Sequence, residues 1–243
     1  MTNNQIVINP YCIARFLGVM MILLLITSLG TNFVTYFTGH DYFYGLIPLF
    51  YVDSERNIPT GYSVLLLQFA AILLLILLLL KWKQPHSSSI YWVVLCLGFF
   101  YLAADEAWSF HEKIDEPGGI LGNHQFHGLL NFAWIIPFIF LLPLLLLFFW
   151  KFLLSLSIKT RRLFLLGGIL YVGGAIGVES IGGYLVDTIG RNNWWYYLEV
   201  TTEEGLEMTG NIVFIYALID YLYDNYTEVS FMINKNSGGN LTE

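Results

Sequence analysis

Charge is what this chain has least of. Lysine, arginine, aspartate and glutamate make up 12% of its 243 residues, where an ordinary soluble domain carries about 25%. With 56% hydrophobic residues and a mean hydropathy of +0.63, too little polar surface remains to cover a soluble core. That shortage excludes a water-soluble globule. Cysteine is nearly absent. Cys12 and Cys96 fall in different segments with no Cys-x-x-Cys or Cys/His spacing, which excludes a disulfide framework and a zinc knuckle. The first apolar stretch has no A-x-A-like cleavage site behind it, so it is expected to be a retained helix. Internal repeats and a second domain are also missing. The net charge of −7 speaks against nucleic acid as a partner.

What the chain does have is long apolar runs. A spanning helix needs about 20 mostly apolar residues, and six stretches qualify: roughly 15–37, 62–80, 90–112, 129–149, 163–185 and 201–223. The second and fourth are almost uninterrupted, whereas acids break the third, fifth and sixth. Lys and Arg set the orientation. With six spans, the termini and the second and fourth loops share the side holding Arg15, Lys81, Lys83, Lys151, Lys159, Arg161, Arg162 and Lys235. The other side holds only Arg56, Lys113 and Arg191. The expectation is an all-α polytopic bundle of about six transmembrane helices in the inner (plasma) membrane, with both termini cytoplasmic. Residues 1–226 would form one transmembrane domain, and 227–243 a mobile polar cytoplasmic tail. Tyr42, Phe43 and Tyr44, and the run Trp194 to Tyr197, suit the headgroup level on the outer face.

Placed on that topology, most carboxylates fall in the outer half, and so do His40, His111, His124 and His127; His86 does not. An ionised group at membrane depth costs a few kcal/mol, so it normally faces a partner, a metal or water. Asp105 and Glu106 lie about 15 residues into the third stretch, and Glu179 lies at a similar height in the fifth. Asp105, Ser109 and Glu112 share one helical face, Glu106 and Lys113 the next, and His111 lies farther round. One straight helix cannot aim all of them at one point. In the sixth stretch Thr201 and Glu204 fit a capping box, and the positive helix N-terminus also accounts for Glu203. Glu204, Glu207 and Asn211 form a polar stripe one turn deeper. Gly173, Gly174, Gly177, Ser180, Gly182 and Gly183 around Glu179 permit close helix approach. His127 begins the fourth helix, on a face continued by Asn131 and Trp134, while His124 is the weaker of the pair. In the first outer loop Thr60 or Ser63 could cap the second helix, and Arg56 is expected to pair with a buried acid.

Three segments together carry a resemblance: Phe50 to Thr60 with its Glu55-Arg56-Asn57-Ile58-Pro59-Thr60 core, Asp105-Glu106 with His111-Glu112, and Glu203-Glu204 with Glu207-Met208 and Gly210. In these the chain resembles an uncharacterised family of bacterial multi-pass membrane proteins, over most of its length. That resemblance implies the fold and no activity. The combination of Asp105, Ser109 and His111 is also similar to the zinc sites of ceramidase-like membrane hydrolases, from which the chain departs in having no His-x-x-x-His.

Three functions follow. Asp105, Glu106, His111, His127, Glu179, Glu204 and Glu207 resemble the carboxylate-rich mix that binds zinc, iron or manganese, with Arg56, Ser109, Glu112 and Asn211 as further polar members. Such a metal site, perhaps dinuclear in the manner of helical di-metal proteins, would serve hydrolysis or redox chemistry on a lipid-like or small-molecule substrate reached from the outer side. An outward-facing cation or proton transport component is the second function. The third is a structural accessory subunit whose buried acids pair with Arg56, Lys113 and Arg191.

Overall fold

The computed structural model describes residues 9–81, 89–115, 119–121 and 126–226. The tail 227–243, His86 and His124 lie outside them. Eight α-helices are present among the described residues: α1 (Pro10–Thr38), a short α2 (Leu46–Phe50), α3 (Ile58–Lys81), α4 (Ser89–Trp108), α5 (Ile135–Ser155), α6 (Ile158–Val172), α7 (Glu179–Ile189) and α8 (Trp194–Asn225). A π-helical segment, Gly173–Val178, joins α6 to α7, so the two form one rod from Ile158 to Ile189.

These segments are helical because lipid offers no hydrogen-bond partners, and a helix satisfies its own backbone. Polar side chains set their starts. Asn9 accepts from the N–H of Tyr11 at 2.9 Å, with Pro10 in the first turn, where a missing N–H costs nothing. Asn57, not Thr60 or Ser63, caps α3: its Oδ1 accepts from the Thr60 N–H at 3.0 Å while its Nδ2 donates to the Tyr51 carbonyl at 2.6 Å. The Ser157 hydroxyl receives the Thr160 N–H at the start of α6.

Five helices are long and apolar enough to cross a membrane: Pro10–Thr38, Ile58–Lys81, Ile90–Trp108, Ile135–Ser155 and Ile158–Ile189. Phe16, Leu79, Phe140 and Leu147 on their outer faces are exposed, as lipid contact allows. The sixth long helix, α8, is the centre of the bundle, packed against α1, α3 and α6. Its Met208, Ile215 and Leu218 are fully buried with Leu66, Leu74 and Trp92. α5 joins through Phe149 and Phe152, which pack on Tyr91, and Phe152 meets Trp92 edge-on at 5.0 Å.

Three boundaries differ from the sequence-based expectation. α4 stops at Trp108 rather than continuing to 112, and α5 begins at Ile135 rather than 129. α8 begins two turns early, at Trp194, where Asn193 accepts from the Tyr196 N–H at 3.0 Å. Thr201 is therefore no cap. It lies inside the helix, and its hydroxyl donates back to the Tyr197 carbonyl at 2.7 Å. Of the expected interfacial aromatics Trp195 is exposed, but Tyr196 and Tyr197 are buried against Val52 and Val200.

Candidate metal centre

α8 places Glu199, Glu203 and Glu207 at successive i, i+4 positions, so one face carries a column of carboxylates. The rod opposite brings Glu179 to that face as the first residue of α7, directly after the π segment. Such segments rotate the residues that follow them and are frequent at functional sites. One carboxylate oxygen from each of Glu179, Glu199 and Glu203 lies within 4.8 Å of the others. Glu199 is 8% exposed; among the described residues neither of its oxygens accepts a regular hydrogen bond, although the Gly182 backbone N–H approaches the carboxylate.

Two glycines make this approach possible. A Cβ on Gly174 would stand 2.8 Å from the Glu203 carbonyl oxygen and 2.9 Å from Glu207 Cγ. One on Gly182 would meet both Glu199 carboxylate oxygens at 2.6 Å. Gly173 and Gly177 meet nothing within 4 Å. Of the expected small-residue surface, only one side therefore serves the packing of the rod on α8.

The end of α4 supplies the next members. Ser109 takes a left-handed conformation, φ +48°, and its N–H closes on the Asp105 carbonyl at 2.6 Å. The reversal swings His111 back over Asp105. Its N–H donates to Asp105 Oδ1 at 2.9 Å, its ring Nδ1 lies 2.8 Å from Oδ2, and the ring packs 4.6 Å from Trp134. One straight helix could not aim these groups together; His111 reaches Asp105 because α4 has already ended at Trp108. Burial opposes charge on the His111 ring, but the Asp105 carboxylate outweighs it, with help from Glu112 and Glu179, and raises the pKa above the usual imidazole value. Desolvation and the charges of Glu55, Asp53 and Glu179 likewise raise Glu112. Glu106, the next residue on α4, lies within electrostatic reach of Glu55, His111, Glu204 and Glu207.

Above the cluster the first loop contributes Asp53, which accepts from the Tyr51 hydroxyl at 2.9 Å and from the Tyr196 hydroxyl at 3.3 Å. Asp53, Tyr51, Ser54, Arg191, Asn192 and Tyr197 line an open hollow of about 360 Å³.

Asp105, Glu106, His111, Glu179, Glu204 and Glu207 thus belong to one neighbourhood, and Glu112 stands at its rim. His127 has Asp187 for a partner, 3.1 Å from its Nδ1, on an exposed surface. Asn211 is buried farther along α8. Arg56, at φ +60°, makes no ion pair among the described residues, contrary to expectation. Lys113 and Arg191 also have no carboxylate within 4.0 Å in that set; they stand over the rings of Phe110 and Phe132. Sequence reasoning missed Glu199 and assigned Glu203 to a cap. The spacing Glu199-x-x-x-Glu203-x-x-x-Glu207 was the available signal.

The fold and the site define a class: an all-helical membrane protein whose helices gather a carboxylate cluster, flanked by one histidine, around the first half of α8. Within it, the chain belongs to the family described as a domain of unknown function (DUF8692), whose profile matches residues 16–222 and so includes every member of the cluster. No curated protein and no solved structure matches the chain.

Proposed function

We propose that this protein binds a divalent metal in the carboxylate pocket, with room for a second ion, and uses it for hydrolysis or redox chemistry on a lipid-like substrate entering from the outer side of a bacterial inner membrane. The reading rests on one observation above all: Glu179, Glu199 and Glu203 converge within 4.8 Å, with both Glu199 oxygens buried and without a regular hydrogen bond among the described residues. Buried carboxylates this close repel one another unless protons or a cation stand between them. An oxygen-rich donor set suits manganese or iron, and a histidine nitrogen would bring zinc within range. A metal held there would supply Lewis acidity or a redox couple. The chain's own part is to hold the oxygens on rigid helices and to keep bulk water away.

The accessory-subunit alternative needs ion pairs to neutralise the acids, and Arg56, Lys113 and Arg191 form none among the described residues. A transport path would need polar groups that continue along α8. Beyond Asn211 the next polar side chain on its buried faces is Asp220, and Lys159 holds that residue at 2.6 Å. The outward orientation follows from the distribution of lysine and arginine.

Elemental analysis of the detergent-purified protein tests the proposal. The expected result is one or two equivalents of manganese, iron or zinc, lost in Glu179→Gln and Glu203→Gln proteins that still elute as folded species. A metal-free wild type that takes up none of the three on titration would end it.

A further inference from the structure

The open hollow of about 360 Å³ carries both signs of charge on two different segments. One wall is the loop between α2 and α3, with Tyr51 and Asp53; the other is the turn between α7 and α8, with Arg191 and Asn192. Asp53 and Arg191 line the same space without touching, since no carboxylate lies within 4.0 Å of Arg191 among the described residues. The Arg191 guanidinium stands over the Phe132 ring at 5.8 Å, which leaves its N–H fork free to donate. Asn192 Oδ1 accepts the Tyr197 hydroxyl at 2.9 Å, and its amide nitrogen has no hydrogen-bond partner among the described residues. The hydrogen bonds that Asp53 accepts come from neutral hydroxyls, Tyr51 at 2.9 Å and Tyr196 at 3.3 Å, so its charge is held but not neutralised. Beside it the Tyr51 and Tyr197 rings meet at 6.1 Å and 86°, an aromatic corner of the kind that attracts cations. Both walls are pinned. The Asn57 amide donates to the Tyr51 and Pro48 carbonyls, and Asn193 donates to the Gly190 carbonyl while accepting from the Tyr196 N–H.

We infer that this hollow binds a zwitterionic headgroup, with a primary ammonium at Asp53 and a phosphate at Arg191 and Asn192. Phosphatidylethanolamine joins those two charges by a short carbon bridge. A primary ammonium has three N–H groups to give to a carboxylate, whereas a quaternary one has none. A purely anionic headgroup would satisfy Arg191 but face the Asp53 charge, and that repulsion selects against it. The surroundings suit a lipid. Exposed Trp195 and the cluster of Phe33, Tyr36 and Trp194 stand at the same end of the bundle, as aromatic side chains do at headgroup level. The inference does not draw on the metal, so it can fail while the metal reading stands, and the reverse.

The test is native mass spectrometry of the full chain in detergent, titrated with phosphatidylethanolamine, phosphatidylcholine and phosphatidylglycerol of identical acyl chains. The expected result is one phosphatidylethanolamine held about 10-fold more tightly than either other lipid. Asp53→Asn should abolish the preference over phosphatidylglycerol. Arg191→Gln should weaken phosphatidylethanolamine binding about 10-fold, and Arg162→Gln, outside the hollow, should change neither. A wild type that holds either other lipid as tightly would overturn the inference, as would a preference that survives both Asp53→Asn and Arg191→Gln. Glycerophosphoethanolamine supplies the same two charges without acyl chains. If it displaces the bound lipid at matching concentration, the headgroup site serves a soluble phosphoamine; if it does not, the site serves a membrane lipid. The wild-type ranking decides the inference even if neither variant of the hollow folds.

Discussion

Glu199 is poorly satisfied by the protein alone, since it is buried against Gly182 and, among the described residues, neither oxygen accepts a regular hydrogen bond. Burying an unpaired polar group costs roughly 1–3 kcal/mol by mutational measures, and an unpaired charge costs more. Glu199→Gln is therefore expected to leave the melting temperature of the metal-free protein unchanged or higher, while metal uptake falls. A clear drop in the metal-free melting temperature would mean that the carboxylate is structurally satisfied. His111 makes a second prediction at this scale. Its pKa is raised, so the folded state binds the proton more tightly than the unfolded state does. The stabilisation is complete below the unfolded value of about 6.5 and is lost as pH rises through the folded value. Histidine-selective NMR of the metal-free protein should show His111 titrating above the usual imidazole value. Asp105→Asn should bring it down and flatten the loss of stability on the alkaline side. A His111 that titrates at or below the usual value would refute this.

Helix packing separates glycines that look alike in sequence. Gly174 faces backbone, the Glu203 carbonyl, which cannot swing aside. Gly174→Ala should therefore push the rod from α8 at a cost of about 1–3 kcal/mol. Gly182 faces only the movable end of Glu199, so Gly182→Ala should displace that carboxylate and lower metal affinity more than stability. Gly177→Ala meets nothing within 4 Å and should be neutral or stabilising by up to about 1 kcal/mol. Equal melting temperatures for all three would disprove the close approach. The same contrast explains what could be read from sequence. The runs through Leu65 to Leu80 and Leu141 to Phe149 are unambiguous because lipid demands an apolar helix over their whole length. Asp105, Glu106, Glu179, Glu204 and Glu207 stood out because charge there is costly. The end of α4 was not legible. Nothing about a serine requires φ +48°, and the turn is stabilised by tertiary contact of His111 with Asp105 and Trp134. Nor was the start of α8: the Trp-Trp-Tyr-Tyr run reads as an interface, and only the contact of Tyr196 with Asp53 shows it turned inward. Missing that start hid Glu199 and made Glu203 look like a cap.

At the scale of the molecule, everything depends on whether α8 crosses the membrane. Its 32 residues span about 48 Å at 1.5 Å per residue, more than the ~30 Å hydrocarbon core. Hydropathy passes it over because its first half carries Glu199, Glu203, Glu204 and Glu207. Yet it lies against α1, α3 and α6, each of which is part of an apolar span, and the stretch from Met208 to Ile219 contains no charge. If a helix packed on those neighbours shares their depth, as the proposed six crossings require, its acids are tolerated by one another or by a cation. On the proposed topology of six crossings both termini share one side, and the excess of lysine and arginine at the Lys81, Lys159 and Arg162 end argues for that side being cytoplasmic. Ile120, 86% exposed, and Tyr223, 74% exposed, mark the two ends. In a Cys12→Ser background, with the buried Cys96 retained, Ile120→Cys should react with a membrane-impermeant maleimide in intact spheroplasts. Tyr223→Cys should react only after the membrane is opened. Labelling of both sites in intact spheroplasts would mean an odd number of crossings, with α8 outside the bilayer. The reverse pattern would turn the carboxylate pocket toward the cytoplasm and remove the outer-side access on which the proposed substrate route depends.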